Sequence, residues 1–181
     1  HVRVPDLVLE GRRLLREGRA PRFARLISWL QLERPRWVEL LLSAAYALKR
    51  LGLARLAVRL GLPRLIGMPG LGVAEEHVEE APCRLLAPEL RARPELRSPK
   101  DAAYLYFAPC GPNYVLPRVG RATVAVLQSR GRAAFLNNRC CGLLAYNYGD
   151  VDQARALAKR VIEDTEKALA EAEPGAAVVG D

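Results

Sequence analysis

The sequence predicts an α/β fold: an N-terminal helical segment followed by a small βαβαβ parallel-sheet domain rich in cysteine. Three observations carry this reading. The first 64 residues are rich in Leu and Arg at helical spacing. Residues 61–99 hold six prolines and four glycines, which leaves no room for an element longer than about two turns. From Asp101 onward, short apolar runs alternate with amphipathic stretches, the pattern of strands joined by crossover helices.

Taken in order, Pro5 and Asp6 suit the first turn of a helix, where a missing N–H is harmless and a carboxylate meets the positive end of the dipole. Leu7, Leu14 and Leu15 form its apolar stripe, and Gly18 and Pro21 end it. A second helix covers 22–32 and stops at Pro35. A third and longest runs from Trp37 to about Leu60, interrupted at Gly52, with Leu41, Ala44, Ala45, Leu48 and Leu51 as a buried face. Residues 65–100 read as a connector containing an acidic patch, 75–80. A strand at 104–107, a helix at 116–130 closed by Gly131, and a strand at 132–136 follow. Asp150 or Asp152 then caps a helix reaching about Ala172, with Ala154, Leu157, Ala158, Val161, Ile162, Thr165 and Leu169 on one side. Pro174 and Gly175 end it before a third buried strand, 176–179. The partition expected is 1–64 helical, 65–100 connector and 101–181 the sheet domain.

Charge is segregated. Residues 1–64 carry 14 Lys/Arg against 5 Asp/Glu, whereas 101–181 carry 9 of each, so the chain's net +8 is N-terminal. A basic helical half suits docking on neighbouring modules of a complex, anionic lipid or nucleic acid. The longest uncharged run in this half is nine residues, 40–48, well short of the roughly 20 that a membrane-spanning helix needs. The chain starts at His1 with no signal-peptide pattern, and reads as a segment of a longer one in a reducing, cytoplasmic setting, peripheral on the inner membrane face at most.

The four cysteines are too few and too unevenly spaced for a disulfide scaffold. Cys110 and the pair Cys140-Cys141 lie just past two apolar runs, which puts three thiols at the carboxyl ends of parallel strands, where open α/β sheets bind ligands. Adjacent cysteines pair poorly with each other but both can ligate one iron–sulfur cluster, for which soft thiolates are the natural donors. Zinc competes for the same thiols, although its sites favour two-to-four-residue spacing. Gly111 and Gly142 would let backbone N–H groups approach the sulfurs, or serve turns alone. Asn137, Asn138, Arg139, Tyr146 and Asn147 surround the pair and read either as hydrogen-bonding partners around it or, for most of them, as ordinary loop polar residues. Cys83 reads as a free structural thiol, and His77 as part of a solvated acidic face. No Ser-His-Asp or Cys-His set and no phosphate-binding glycine loop is present.

Cys110, a 29-residue gap, Cys140-Cys141-Gly142, and then a long amphipathic helix with a Val-rich strand resemble the cysteine-rich CCG domain. Phe107 to Cys110, Pro117, Arg121 to Val124 and Gly149 to Arg155 extend the likeness. The family pattern ends in a Cys-x-x-C, which would fall just beyond Asp181. Such domains occur in the iron–sulfur subunits of glycolate oxidase and lactate utilisation, in the anaerobic glycerol-3-phosphate dehydrogenase C subunit and in the heterodisulfide reductase B subunit. The resemblance implies a [4Fe–4S] cluster, of non-cubane form by the heterodisulfide reductase likeness. It also implies FAD on a partner oxidoreductase subunit, a ferredoxin-like module before His1 (whose start, through Leu7, resembles the segment after such a module) and a quinone or membrane link. The expected role is electron transfer in a flavin-linked 2-hydroxyacid oxidoreductase, with Cys110, Cys140 and Cys141 as metal ligands, Gly142 beside the cofactor and no catalytic acid or base. Alternatives are a disulfide-reducing cluster subunit or a non-redox basic binding module with zinc or no metal. In the chain as given, Cys110 and Cys140-Cys141 are expected to approach one another across adjacent strand ends without holding a cluster, and no nucleic-acid partner is expected.

Overall fold

The structure is a computed structural model that describes residues 22–65, 81–138 and 140–181, with 7, 8, 10, 11, 14, 72, 73 and 75 besides. The described positions among 7–14 are helical, but the proposed start at Pro5 and Asp6, its Leu15, the breakers Gly18 and Pro21, and His77 lie outside the described residues.

Helices α1 (Arg22–Glu33), α2 (Pro35–Arg50), α3 (Leu53–Arg59) and α4 (Leu62–Leu65) form the N-terminal part. Pro35 does not simply stop α1. It opens α2 at the first helical position, where its fixed φ fits and its missing N–H is no loss, so a single residue, Arg34, separates the two. Gly52 breaks the following run as the sequence indicated, taking a left-handed φ of 76° between α2 and α3. The expected buried face of α2 is overturned: Leu41, Ala44, Ala45 and Leu48, with Leu51 just past its end, are exposed, and Val38 and Glu39, near its start, are the buried positions. Nor is this the longest helix. Among the described residues that is the 21-residue segment before the last strand.

The second part begins inside the stretch read as a connector. Helix α5 (Leu86–Ala92) and a 3₁₀ turn (Pro94–Leu96) are short, as the prolines require, but Leu86, Leu90 and Leu96 are fully buried. They pack with Tyr106, Val124, Leu127 and Phe135 on one side of the sheet. Strands β1 (Tyr104–Phe107), β2 (Ala133–Phe135) and β3 (Ala177–Gly180) are all parallel in the order β2-β1-β3. Helix α6 (Pro117–Arg130) crosses from β1 to β2, and α7 (Leu143–Asn147) and α8 (Val151–Glu171) return to β3. Successive side chains alternate between faces, so Tyr106 joins the α5–α6 core while Leu105, Ala102 and Ala134 pack against Ala168 and Ala172 at the end of α8.

Gly120 lets α6 lie close, because a Cβ there would stand 2.2 Å from Leu86 Cδ2 and 2.6 Å from the Tyr106 hydroxyl. Asp150 caps α8, accepting from the Gln153 N–H. Of the stripe expected on α8, Ala154 and Leu157 are buried, but Ile162 and Leu169 are exposed. The third strand is likewise not buried: Ala177 and Val178 are exposed and only Val179 is half-covered. The cause is its edge position, since α8 covers β1 and β2 on that face. At its end Asp181 accepts hydrogen bonds from the Tyr106 and Thr123 hydroxyls, which ties β3 to the core.

Candidate metal centre

Cys110 and Cys140 leave the carboxyl ends of the adjacent strands β1 and β2, and their Sγ atoms stand 3.7 Å apart. That is nearly twice a disulfide bond of about 2.05 Å, so this is a thiol–thiol contact between free cysteines. The convergence expected of the two strand-end loops is therefore present. Cys141, next in the chain, is exposed and close enough to hydrogen-bond Cys140.

Each loop is held by side chains acting in place of backbone partners. Asn138 continues the β1–β2 ladder past its last residue. Its Oδ1 accepts from the Ala108 N–H at 2.7 Å, and its Nδ2 donates to the Ala108 carbonyl at 3.0 Å. Beyond Cys110 the chain makes a π turn (Gly111–Val115). Buried Asn113 accepts from the Ala87 N–H at 2.9 Å, satisfying a donor in the first turn of α5. Tyr114 is held from the N-terminal part: its hydroxyl shares hydrogen bonds with the Gln31 amide, and its carbonyl accepts from the Tyr46 hydroxyl at 2.8 Å. Arg91 donates to both Glu39 oxygens and to Asn137 Oδ1, tying α2 and α5 to the loop after β2.

Gly142 is required on two grounds. Its φ of 90° is left-handed, and a Cβ there would sit 2.8 Å from the Ala154 carbonyl oxygen. The turn brings its N–H onto the Cys140 sulfur. Gly111, by contrast, is exposed, with nothing within 4 Å of where a Cβ would lie.

The two thiols differ in proton affinity. The hydrogen bond from Cys110 holds the Cys140 thiol down to about 6, against the opposing effect of burial; the Gly142 N–H and Cys141 add to the lowering. The Cys110 thiol is pushed far up, first by that same hydrogen bond, then by desolvation and by the neighbouring sulfurs. Cys140 is thus the thiolate and Cys110 the donor.

Of the other residues singled out in the sequence, Tyr146 and Asn147 belong to α7, and Tyr146 is exposed. Cys83 is an exposed free thiol, and Arg139 lies outside the described residues. Among the described residues no group of three or more His, Cys, Asp or Glu side chains is arranged to hold a metal ion. The thiolate chemistry nevertheless suits one side of an iron–sulfur cluster: a soft, partly ionised pair on two anchored loops, a third thiol adjacent, and an N–H aimed at sulfur. The sequence did not disclose the clamp roles of Asn113, Tyr114 and Asn138. Their only signal was polar residues placed directly beside two strand ends.

No curated protein and no solved structure matches the chain. A family model described as the CCG cysteine-rich domain matches residues 104–175, which run from β1 through the turn before β3. The segment that carries Cys110, Cys140, Cys141 and Gly142 is a CCG cysteine-rich domain.

Proposed function

We propose that this domain holds an iron–sulfur cluster and serves electron transfer, as CCG domains commonly do. The observation that carries the reading is the 3.7 Å approach of Cys110 and Cys140 across neighbouring strand ends. Cys110, Cys140 and Cys141 are the thiolate ligands in this reading, leaving a further position for a donor outside the described set. The Gly142 N–H on the Cys140 sulfur favours added negative charge there, a lever on potential. When bound, the cluster supplies one-electron chemistry; the chain supplies position, through the Asn113, Tyr114 and Asn138 clamps, and partial exclusion of water around Cys140.

The finer assignment is a subunit of a flavin-linked 2-hydroxyacid oxidoreductase of glycolate or lactate type. It rests on the motif resemblance, with hydride taken up by FAD on a partner subunit. Anaerobic reconstitution with ferrous iron and sulfide, in the presence of an added small thiol to fill the ligand position these three cysteines leave open, tests the cluster. We expect bound iron and sulfide with broad visible charge-transfer absorption, lost in Cys110→Ser and Cys140→Ser while helix content is kept. A colourless protein that takes up zinc but no iron would overturn the reading.

A further inference from the structure

The N-terminal helices present a second surface that the cysteine site does not use. Along α2 and its C-cap, Trp37, Leu40, Leu41, Ala44, Leu48 and Leu51 recur three or four residues apart, so they share one face, and all are exposed. Leu56 of α3 and Leu60 just past its end are exposed beyond the Gly52 turn, and Trp29 of α1 is 48 % exposed. Trp37, at 51 %, is the only other tryptophan in the chain, so both large amphipathic rings lie on this helical part. An exposed apolar stripe of this length is uncommon on a surface that meets only water.

The charge around the stripe selects its occupant. Residues 22–65 contain nine Lys/Arg against two Asp/Glu, and one of those acids, Glu39, is already bound by Arg91. Exposed Arg34 and Arg36 stand near one end of the stripe, and exposed Arg50 and Arg59 near the other, where Glu75 pairs with Lys49 and with Arg55. A second copy of this chain on the same face would bring like charges together. An anionic lipid surface meets both requirements, with apolar side chains entering the headgroup boundary, arginines on lipid phosphates and tryptophans at the interface. Among the described residues no helix is long and apolar enough to cross a membrane, so the geometry is that of helices lying on the surface.

We infer that α2 and α3 dock this protein on an anionic bilayer through the Trp37–Leu51 stripe and its flanking arginines. The inference is independent of what the cysteines bind.

Vesicle co-sedimentation of the full chain tests it, using phosphatidylcholine alone and phosphatidylcholine mixed with phosphatidylglycerol. Because the two tryptophans are the only ones, their emission reports the contact directly. We expect sedimentation with the anionic vesicles only, a blue shift, and quenching by brominated lipid. Leu41→Glu with Leu48→Glu should weaken binding by roughly tenfold or more. Arg34→Glu with Arg59→Glu should weaken it most at low salt. All four sites are exposed, and an unchanged urea midpoint confirms that the variants fold. Failure to bind anionic vesicles at low salt, or binding unchanged in the leucine variant, overturns the proposal. So does concentration-dependent dimerisation without vesicle binding, which would give the face to a second copy.

Discussion

A single proton shared between Cys110 and Cys140 makes the site pH-dependent in a way whose sign follows from the two opposite shifts. Cys140, held down to about 6, contributes stability that is present above the ordinary thiol range and lost as pH falls through 6. Cys110, pushed up, contributes stability that is present below that range and lost as pH rises beyond it. Between about 6 and the usual thiol value of about 8.5 the native pair holds one proton and the unfolded chain two, so stability rises with pH across that window. The urea midpoint of the apo chain should follow this curve, and Cys140→Ser should flatten it. Iodoacetamide should label Cys140 with a midpoint near pH 6, with Cys110 unlabelled, as peptide masses would show. Diamide should close the pair to a disulfide with loss of two hydrogens. Asn138→Ala would unpair the Ala108 N–H and carbonyl, cost about 1–3 kcal/mol, and slow that closure by loosening the loop register. Spacing made the cysteines legible because a ligand's identity is written in its residue type. It left Asn138 undecided between a hydrogen-bonding partner and a loop polar residue, because an amide substituting for a strand partner is defined only once two distant loops have met.

At the scale of elements, the strands and the two long helices of the α/β half were legible nearly to the residue, though the short α7 was not, for reasons that differ from element to element. Strand β1 and helix α6 are marked by local chemistry: an apolar run before the turn, a proline at the first helical position and a glycine just past the last. Helix α8 announces its start through Asp150, and Asp150→Ala should lower the unfolding free energy by about 1 kcal/mol, read from the urea midpoint. Gly120→Ala should cost more, because Leu86 and the Tyr106 hydroxyl occupy the space that a methyl needs, and the buried Leu86 has no solvent to move into. What the pattern could not convey was coverage. Leu41 and Leu48 of α2 and Leu51 at its C-cap satisfy the same periodicity as a core face, as do Ile162 and Leu169 of α8, and all five are exposed. Periodicity states which side chains share a side of a helix; whether another element arrives there is settled elsewhere in the chain. Strand β3 makes the same point, since a buried centre and an exposed edge can both be written in valines.

Over the whole molecule, the helical part and the sheet domain are joined at the loop that carries Cys110 and at the loop that leads to Cys140. Gln31 of α1 and Tyr46 of α2 hold Tyr114, and Glu39 of α2 holds Arg91, which in turn holds Asn137. Charge segregation and the proline-rich stretch suggested two units with a connector between them. The hydrogen bonds instead place the basic helices as a brace on the thiol site, while the α5 leucines of the supposed connector complete the sheet's core. A surface that docks through α2 would then bear on the geometry of the thiols through Tyr46 and Glu39, both on that helix. The coupling can be measured without any metal. Tyr46→Phe combined with Glu39→Gln removes one hydrogen bond to the Tyr114 carbonyl and one charge from the Arg91 pair. It should slow diamide closure of Cys110 to Cys140 and raise hydrogen exchange in residues 111–115, while amides of β1 and β2 keep their protection. Equal closure rates in the variant and the parent chain would mean that the sheet domain sets its thiol geometry alone. The helices would then be passengers rather than a brace.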